Sequence, residues 1–157
     1  MFVCGVSFAA APKMAFVDMR AAIYGSDEAK IKLEKIKAEL AHEEADMMTL
    51  RSGIQELEER FKKDSAVMSS DEKRKIEKTI QDKMAEFNFL GNKYKKSVND
   101  SQQELSRQML PKLERAMKSV QEEKKLDIIL NREAALWVSP EYDLTKAIVD
   151  KMNALKD

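Results

Sequence analysis

One histidine and one cysteine, His42 and Cys4, stand in a chain of 157 residues. Those two numbers bound the chemistry available. A Cys-His nucleophile pair needs both residues in one folded site, and a His-rich metal centre needs several imidazoles. Cys4 lies in an apolar stretch that reads as an export signal, and His42 falls on the polar face of a helical pattern. Neither arrangement can be assembled from them. The acidic pairs Glu43-Glu44 and Glu58-Glu59 sit among charges at helical spacing and read as solvated surface rather than an acid/base couple. No Gly-x-x-x-x-Gly-Lys-Ser/Thr loop is present to cradle a phosphate. The chain is therefore read as a non-enzyme, with no catalytic residue, no bound cofactor and no metal ligand.

What remains is weak binding of apolar partners. Ten methionines in 157 residues is a high count, and flexible thioethers repack around different surfaces. Met48 lies one position off the apolar seam described below, and Phe89 two positions past a seam residue. Val67 and Met68 lie at a break in the pattern. These four are the candidate contacts. For Met48 and Phe89, contact with a neighbouring helix or plain exposure accounts for the sequence equally well. The 28 basic and 28 acidic residues cancel, which removes the bulk electrostatic case for nucleic acid. They are not evenly spread. Between Arg60 and Lys96 there are eleven basic residues against six acidic ones. Lys62, Lys63, Lys73, Arg74 and Lys75 form a candidate basic tip, able to attract acidic partners or anionic lipid surfaces. An ordinary mixed helix face explains the same residues as well.

The elements that must position these residues are mostly helices. Charged residues make up 36% and aromatics 6%, with only 4 Gly and 3 Pro, a composition of long helices or coiled coil. The single cysteine rules out an intramolecular disulfide. Residues 1–11 end in Ser7-Phe8-Ala9 and Ala9-Ala10-Ala11, both small-x-small patterns, and read as the tail of an export signal without its basic start. Met1-Phe2-Val3 does not fit a lipoprotein signal before Cys4. "KMAFVDM" then supplies a short strand, and "MRAAIY" a brief helix stopped at Gly25. Ser26 offers an N-cap, with Asp27 and Glu28 in the first turn.

A heptad seam follows. Leu33, Ile36, Leu40, Met47, Leu50, Ile54, Leu57 and Phe61 are spaced by threes, fours and one seven, and Glu43 alone breaks the series. Such a narrow strip predicts a supercoiled pair of helices. The seam stops at "KDSAVMSS", and Ser69 with Glu72 three residues on forms a capping box. The break is thus a turn between two long helices. The second runs to about Lys125, with its seam at Ile76, Ile80, Phe87, Leu90 and Tyr94. It drifts off heptads through Val98, Leu105, Met109, Leu113, Ala116 and Val120, which predicts a different environment there. Pro111 predicts a kink or broken turn over 107–110. "LDIILN" and "AALWV" read as two strands joined by Asn131-Arg132-Glu133, with Trp137 as a core or hub residue beside Tyr142. Asp143 caps a last helix that presents Leu144, Ile148, Met152 and Leu155 on one face. Short strands at both ends of the chain must meet, because none is stable alone. The fold class expected is α+β. Residues 12–25 and 126–157 form a small β-containing body, and 26–125 a long protruding coiled-coil hairpin with its tip near 66–70.

This order, with "KMAFVDM", "MLPKLERAMKSVQEEKKLDIILN" and "ALWVSPEYDLTKAIVDKMNAL", resembles the Skp or OmpH-like family of periplasmic chaperones for outer-membrane proteins. The resemblance spans residues 13 to 156. It implies a homotrimer whose bodies join in a β-barrel-like hub, here through Phe16, Ile128, Leu130, Leu136 and Trp137. It also implies that unfolded outer-membrane β-barrel proteins are held between the hairpins, without nucleotide, in the periplasm. The best-known members are strongly basic, and this chain is neutral. The competing reading is a structural or adaptor coiled coil with one defined partner, for which the flanking strands have no use. A prefoldin-like chaperone would place its strands between the helices instead.

Overall fold

The computed structural model describes residues 11–155. The export signal expected over residues 1–11, including Cys4, lies outside them except for Ala11. The element order is β1 (Met14–Val17), α1 (Met19–Gly25), α2 (Asp27–Asp64), α3 (Ser70–Lys124), β2 (Ile128–Asn131) and α4 (Thr145–Ala154). Single-turn 3-10 helices lie at Arg132–Ala134 and Pro140–Tyr142. Two long helices and one small sheet make the chain α+β, as the sequence predicts. The chain forms two compact units. One comprises the chain up to Lys32 together with the chain from Leu105 onward, and the other is Leu33–Glu104.

In the first unit, β1 and β2 pair in parallel, with Met14 opposite Ile128 and Val17 opposite Asn131. Parallel strands need a crossover, and here it is the whole of α1, α2 and α3. The junction is tied by exchange between Lys13 and Asp127: Asp127 N–H donates to the Lys13 carbonyl at 2.9 Å, and Lys13 N–H to the Asp127 carboxylate at 2.8 Å. Two strands make a marginal sheet alone, so helices cover it. Ala15, Val17, Ala22, Ile23, Leu105, Met109, Leu113, Ala116, Val120, Ile148 and Met152 are all buried. The residues where the α3 seam leaves its heptads, from Leu105 on, are therefore the core of this unit. The change of environment expected there is present.

Local caps follow the residue types. Asp18 accepts from Ala21 N–H at 2.8 Å to start α1. Ser26 caps α2, its buried hydroxyl accepting from Ala29 N–H at 3.4 Å while donating to the Ile23 carbonyl at 2.7 Å. At the end of α3, Lys125 turns left-handed with φ 52°. Leu126 N–H then reaches the Gln121 carbonyl and Lys125 N–H the Glu122 carbonyl, which is a Schellman close. It redirects the chain from helix to β2.

One expectation fails in this unit and another fails in part. Of the kink or broken turn expected at Pro111, the broken turn is absent, since the helix runs unbroken through 107–110. Buried Met109 and Leu113 on either side hold the helix where one ladder bond is lost. The second strand, "AALWV", is absent. Residues 132–134 form a 3-10 turn capped by the Asn131 side chain, and 135–139 continue without pairing. A strand exists only with a partner, and β1 and β2 complete the one sheet among the described residues. Trp137 is accordingly not a core residue, being 78% exposed.

The second unit is the helical hairpin. Along α2 every seam position from Leu33 to Phe61 is half-buried and nearly all its neighbours are exposed, and Ile76, Ile80, Phe87, Leu90 and Tyr94 repeat this on α3. The capping box forms as written. Ser69 N–H and Oγ donate to Glu72 Oε2 at 2.9 and 2.8 Å, and Glu72 N–H donates back to Ser69 Oγ at 3.3 Å. These bonds hold the Glu72 carboxyl below its usual range, the Ser69 N–H first. Ser69→Ala should destabilise this end of the hairpin by about 1 kcal/mol, seen as faster amide exchange over 65–75 and unchanged exchange in α4. Equal exchange in both regions would mean that the turn does not depend on the cap.

Candidate functional site

The candidate residues fall into two groups, one in each unit. In the hairpin unit, Met48 on α2 and Phe89 on α3 are 66% and 68% exposed. They lie at one level of the hairpin, because Lys93 meets Glu43 at 2.8 Å and the two residues sit four or five positions from that contact. Val67 is exposed and Met68 half-buried in the turn, about 25 Å or more along the helices at 1.5 Å per residue. The four residues therefore make two separate apolar spots rather than one pocket. Exposed Met84 was not singled out from the sequence. It lines a shallow groove of about 410 Å³ with Arg51, Ile54, Gln55, Phe87 and Asn88. Its position one past the seam slot of Lys83 is the signal that marks it. Exposed Ile31 on α2, in the other unit, also carried no signal.

The basic residues gather at the turn by connectivity. Lys62 and Lys63 end α2, and Lys73, Arg74 and Lys75 open α3. Arg74 reaches Asp71 at 3.2 Å with both side chains largely exposed, a pair worth little to stability. Lys73 is half-buried and the other four are exposed.

In the unit that holds the sheet, the five residues expected in a hub lie on or after the strands. Phe16 is half-buried, while Ile128, Leu130, Leu136 and Trp137 are exposed, with Met14 and Tyr142 also open. Two uncovered concavities flank the sheet. One, of about 630 Å³, is lined by Met14, Phe16, Leu126, Tyr142 and Leu144 among others. The other, of about 380 Å³, is lined by Val17, Met117, Ile129 and Leu130 among others. These residues leave apolar surface exposed beside a two-stranded sheet. Below it the chain ends are locked together. Leu144 N–H donates to the Phe16 carbonyl at 2.9 Å, and Asp18 N–H to Thr145 Oγ1 at 2.9 Å.

No group of three or more His, Cys, Asp and Glu residues placed to hold a metal occurs among the described residues. No helix among them is long and apolar enough to cross a membrane. A family model described as outer membrane protein (OmpH-like) matches residues 13–152. The chain belongs to the OmpH-like family. The resemblance read from the two ends of the sequence is thereby established. This OmpH-like chain is 22% identical over 144 residues to a Skp-like protein of Pseudomonas aeruginosa, covering 92% of this chain and 86% of that one. It is 26% identical over 157 residues to a Skp-like protein of Chlamydia pneumoniae, covering 98% and 91%. In fold it matches a Caulobacter crescentus protein, described as an OmpH-like outer membrane chaperone, with TM-score 0.61 at 19% identity. The match covers 98% of this chain and 91% of that one.

Asp143 links this match to a measurable property, since it joins the last helix of the OmpH-like chain to β1. The Thr145 hydroxyl and N–H donate to its carboxylate, with Arg132 3.4 Å away, and hold it below the ordinary Asp range. A depressed carboxyl stabilises the fold above its unfolded pKa, and that contribution is lost as pH falls through the folded value. Urea midpoints should therefore drop below about pH 4, and Asp143→Asn should flatten that part of the acid limb. Identical acid limbs in both proteins would remove Asp143 from the balance.

Proposed function

We propose that this chain is an ATP-independent periplasmic holdase that works as a homotrimer. Three sheet-bearing units join through the face around Phe16, Ile128, Leu130, Leu136 and Trp137. The helical hairpins enclose a space in which unfolded outer-membrane β-barrel proteins are kept from aggregating before membrane insertion. The observation that carries this reading is the pairing of OmpH-like membership with separated apolar spots on long helices, at Met48, Val67, Met84 and Phe89. Scattered contacts of this kind suit many unfolded sequences and bind each weakly. The basic tip, Lys62, Lys63, Lys73, Arg74 and Lys75, would draw in acidic segments of clients or touch anionic lipid, and such an effect fades with salt.

The test is the mass of the purified protein by light scattering, alone and after dilution of a urea-denatured outer-membrane β-barrel protein into it. The expected result is a particle of about three chains that takes up one client and keeps it soluble without nucleotide. A monomer or dimer that leaves the client to aggregate would remove the holdase and favour an adaptor coiled coil.

A further inference from the structure

Glu43 interrupts the α2 seam between Leu40 and Met47, and the structure shows what it faces. Its Oε1 lies 2.8 Å from Lys93 Nζ on α3, and its Oε2 is buried with no hydrogen-bond partner among the described residues. The Glu43 side chain is 26% exposed and that of Lys93 55%, so water partly screens the pair, but at any other level a carboxylate with one oxygen out of water would lose its cation. A second contact has the same register. Gly53 lies ten residues on from Glu43 along α2, and a Cβ there would stand 3.9 Å from Nζ of Lys83, ten residues back from Lys93.

The residues around Lys93 make the level matter. One heptad toward the turn stands Glu86, and one heptad the other way stands Asp100. A slip of seven residues would keep apolar layers opposite apolar layers, so packing alone discriminates weakly against it. Either slip, however, sets Glu43 against an acid. It also sets Lys93 against Ile36 or Leu50 of the seam. The barrier is higher on the Glu86 side, since Asp100 already holds Lys96 on its own helix.

We propose that Glu43 and Lys93, with Glu86 and Asp100 as repelling flanks, are a register lock that holds α2 and α3 in one antiparallel alignment and keeps residues 65–69 at the turn. The hydrogen bond that Lys93 donates to the Glu43 carboxylate, which raises the Lys93 pKa, accords with this. A polar residue in a seam fixes alignment in the same manner in other coiled coils. The lock does not depend on what the hairpin binds.

Disulfide trapping in a Cys4→Ser background tests it. Gln55→Cys with Met84→Cys reports the observed register, since both residues line one groove. Gln55→Cys with Glu77→Cys, or with Gly91→Cys, reports the two slips. With Glu43 and Lys93 intact, only the first pair should trap. Glu43→Lys repels Lys93 and attracts Glu86 and Asp100, so the slipped pairs should rise at least tenfold. Glu43→Leu keeps a folded, wholly apolar seam and should also let slipped pairs appear. Trapping of the first pair alone in both variants overturns the lock and leaves register to the turn and to the contacts of Glu28 with Lys112 and Lys32 with Gln108.

Discussion

In the proposed homotrimer, Trp137→Ser should leave single chains at concentrations where three parent chains associate. Trp137 is 78% exposed on the single chain, and its neighbour Leu136 is fully exposed. Neither side chain supports the fold from that position, so helicity should be unchanged. Truncating a buried interface tryptophan costs about 2–4 kcal/mol. At about 1.4 kcal/mol per factor of ten, each contact weakens roughly 30-fold to 1000-fold. In the proposed homotrimer that loss falls at every interface. Light scattering across a dilution series reads the effect, with circular dichroism as the control. A variant that keeps the parent's mass would place Trp137 outside the interface, and the uncovered face around the sheet would then need another occupant.

The second large effect lies in the core. Leu113→Ala should lower the melting temperature by about 4–20 °C. Leu113 is fully buried in α3, in the same unit as fully buried Met109, Ala116, Ile148 and Met152. Leu→Ala at such sites costs about 2–5 kcal/mol, and a chain of this length loses about 2–4 °C per kcal/mol. Leu57→Ala on the hairpin should cost much less, since Leu57 is only half-buried and its transfer term shrinks with the area removed from water. Calorimetry on both variants makes the comparison. Equal losses would mean that the hairpin and the sheet-bearing unit melt as one body with stability spread evenly between them.

Sequence reading succeeded where the signal was local or periodic. The heptad positions of α2 are half-buried one after another from Leu33 to Phe61. The Ser69–Glu72 box forms with every bond the residue types allow. Ile148 and Met152 face the core as their four-residue spacing requires. It failed where a residue's state depends on a distant partner. "AALWV" carries the β-branched and aromatic residues of a strand, but propensity does not supply a ladder, and among the described residues no strand pairs with it. Of the kink or broken turn that Pro111 predicts, the broken turn does not occur, because the buried side chains flanking it outweigh one missing hydrogen bond.

The helical hairpin, its turn, the α+β class and the family are legible in the residues alone, because caps and seven-residue periods act within a few turns of chain and the two end segments are distinctive. That Glu43 is answered by Lys93, fifty residues away, emerges from packing. So does the burial of the drifting end of α3 in the core of the sheet-bearing unit, and the exposure of Leu136 and Trp137. The reason is the same in each case. Burial and charge pairing are set by which surfaces meet, and that choice belongs to the fold rather than to any local run of residues.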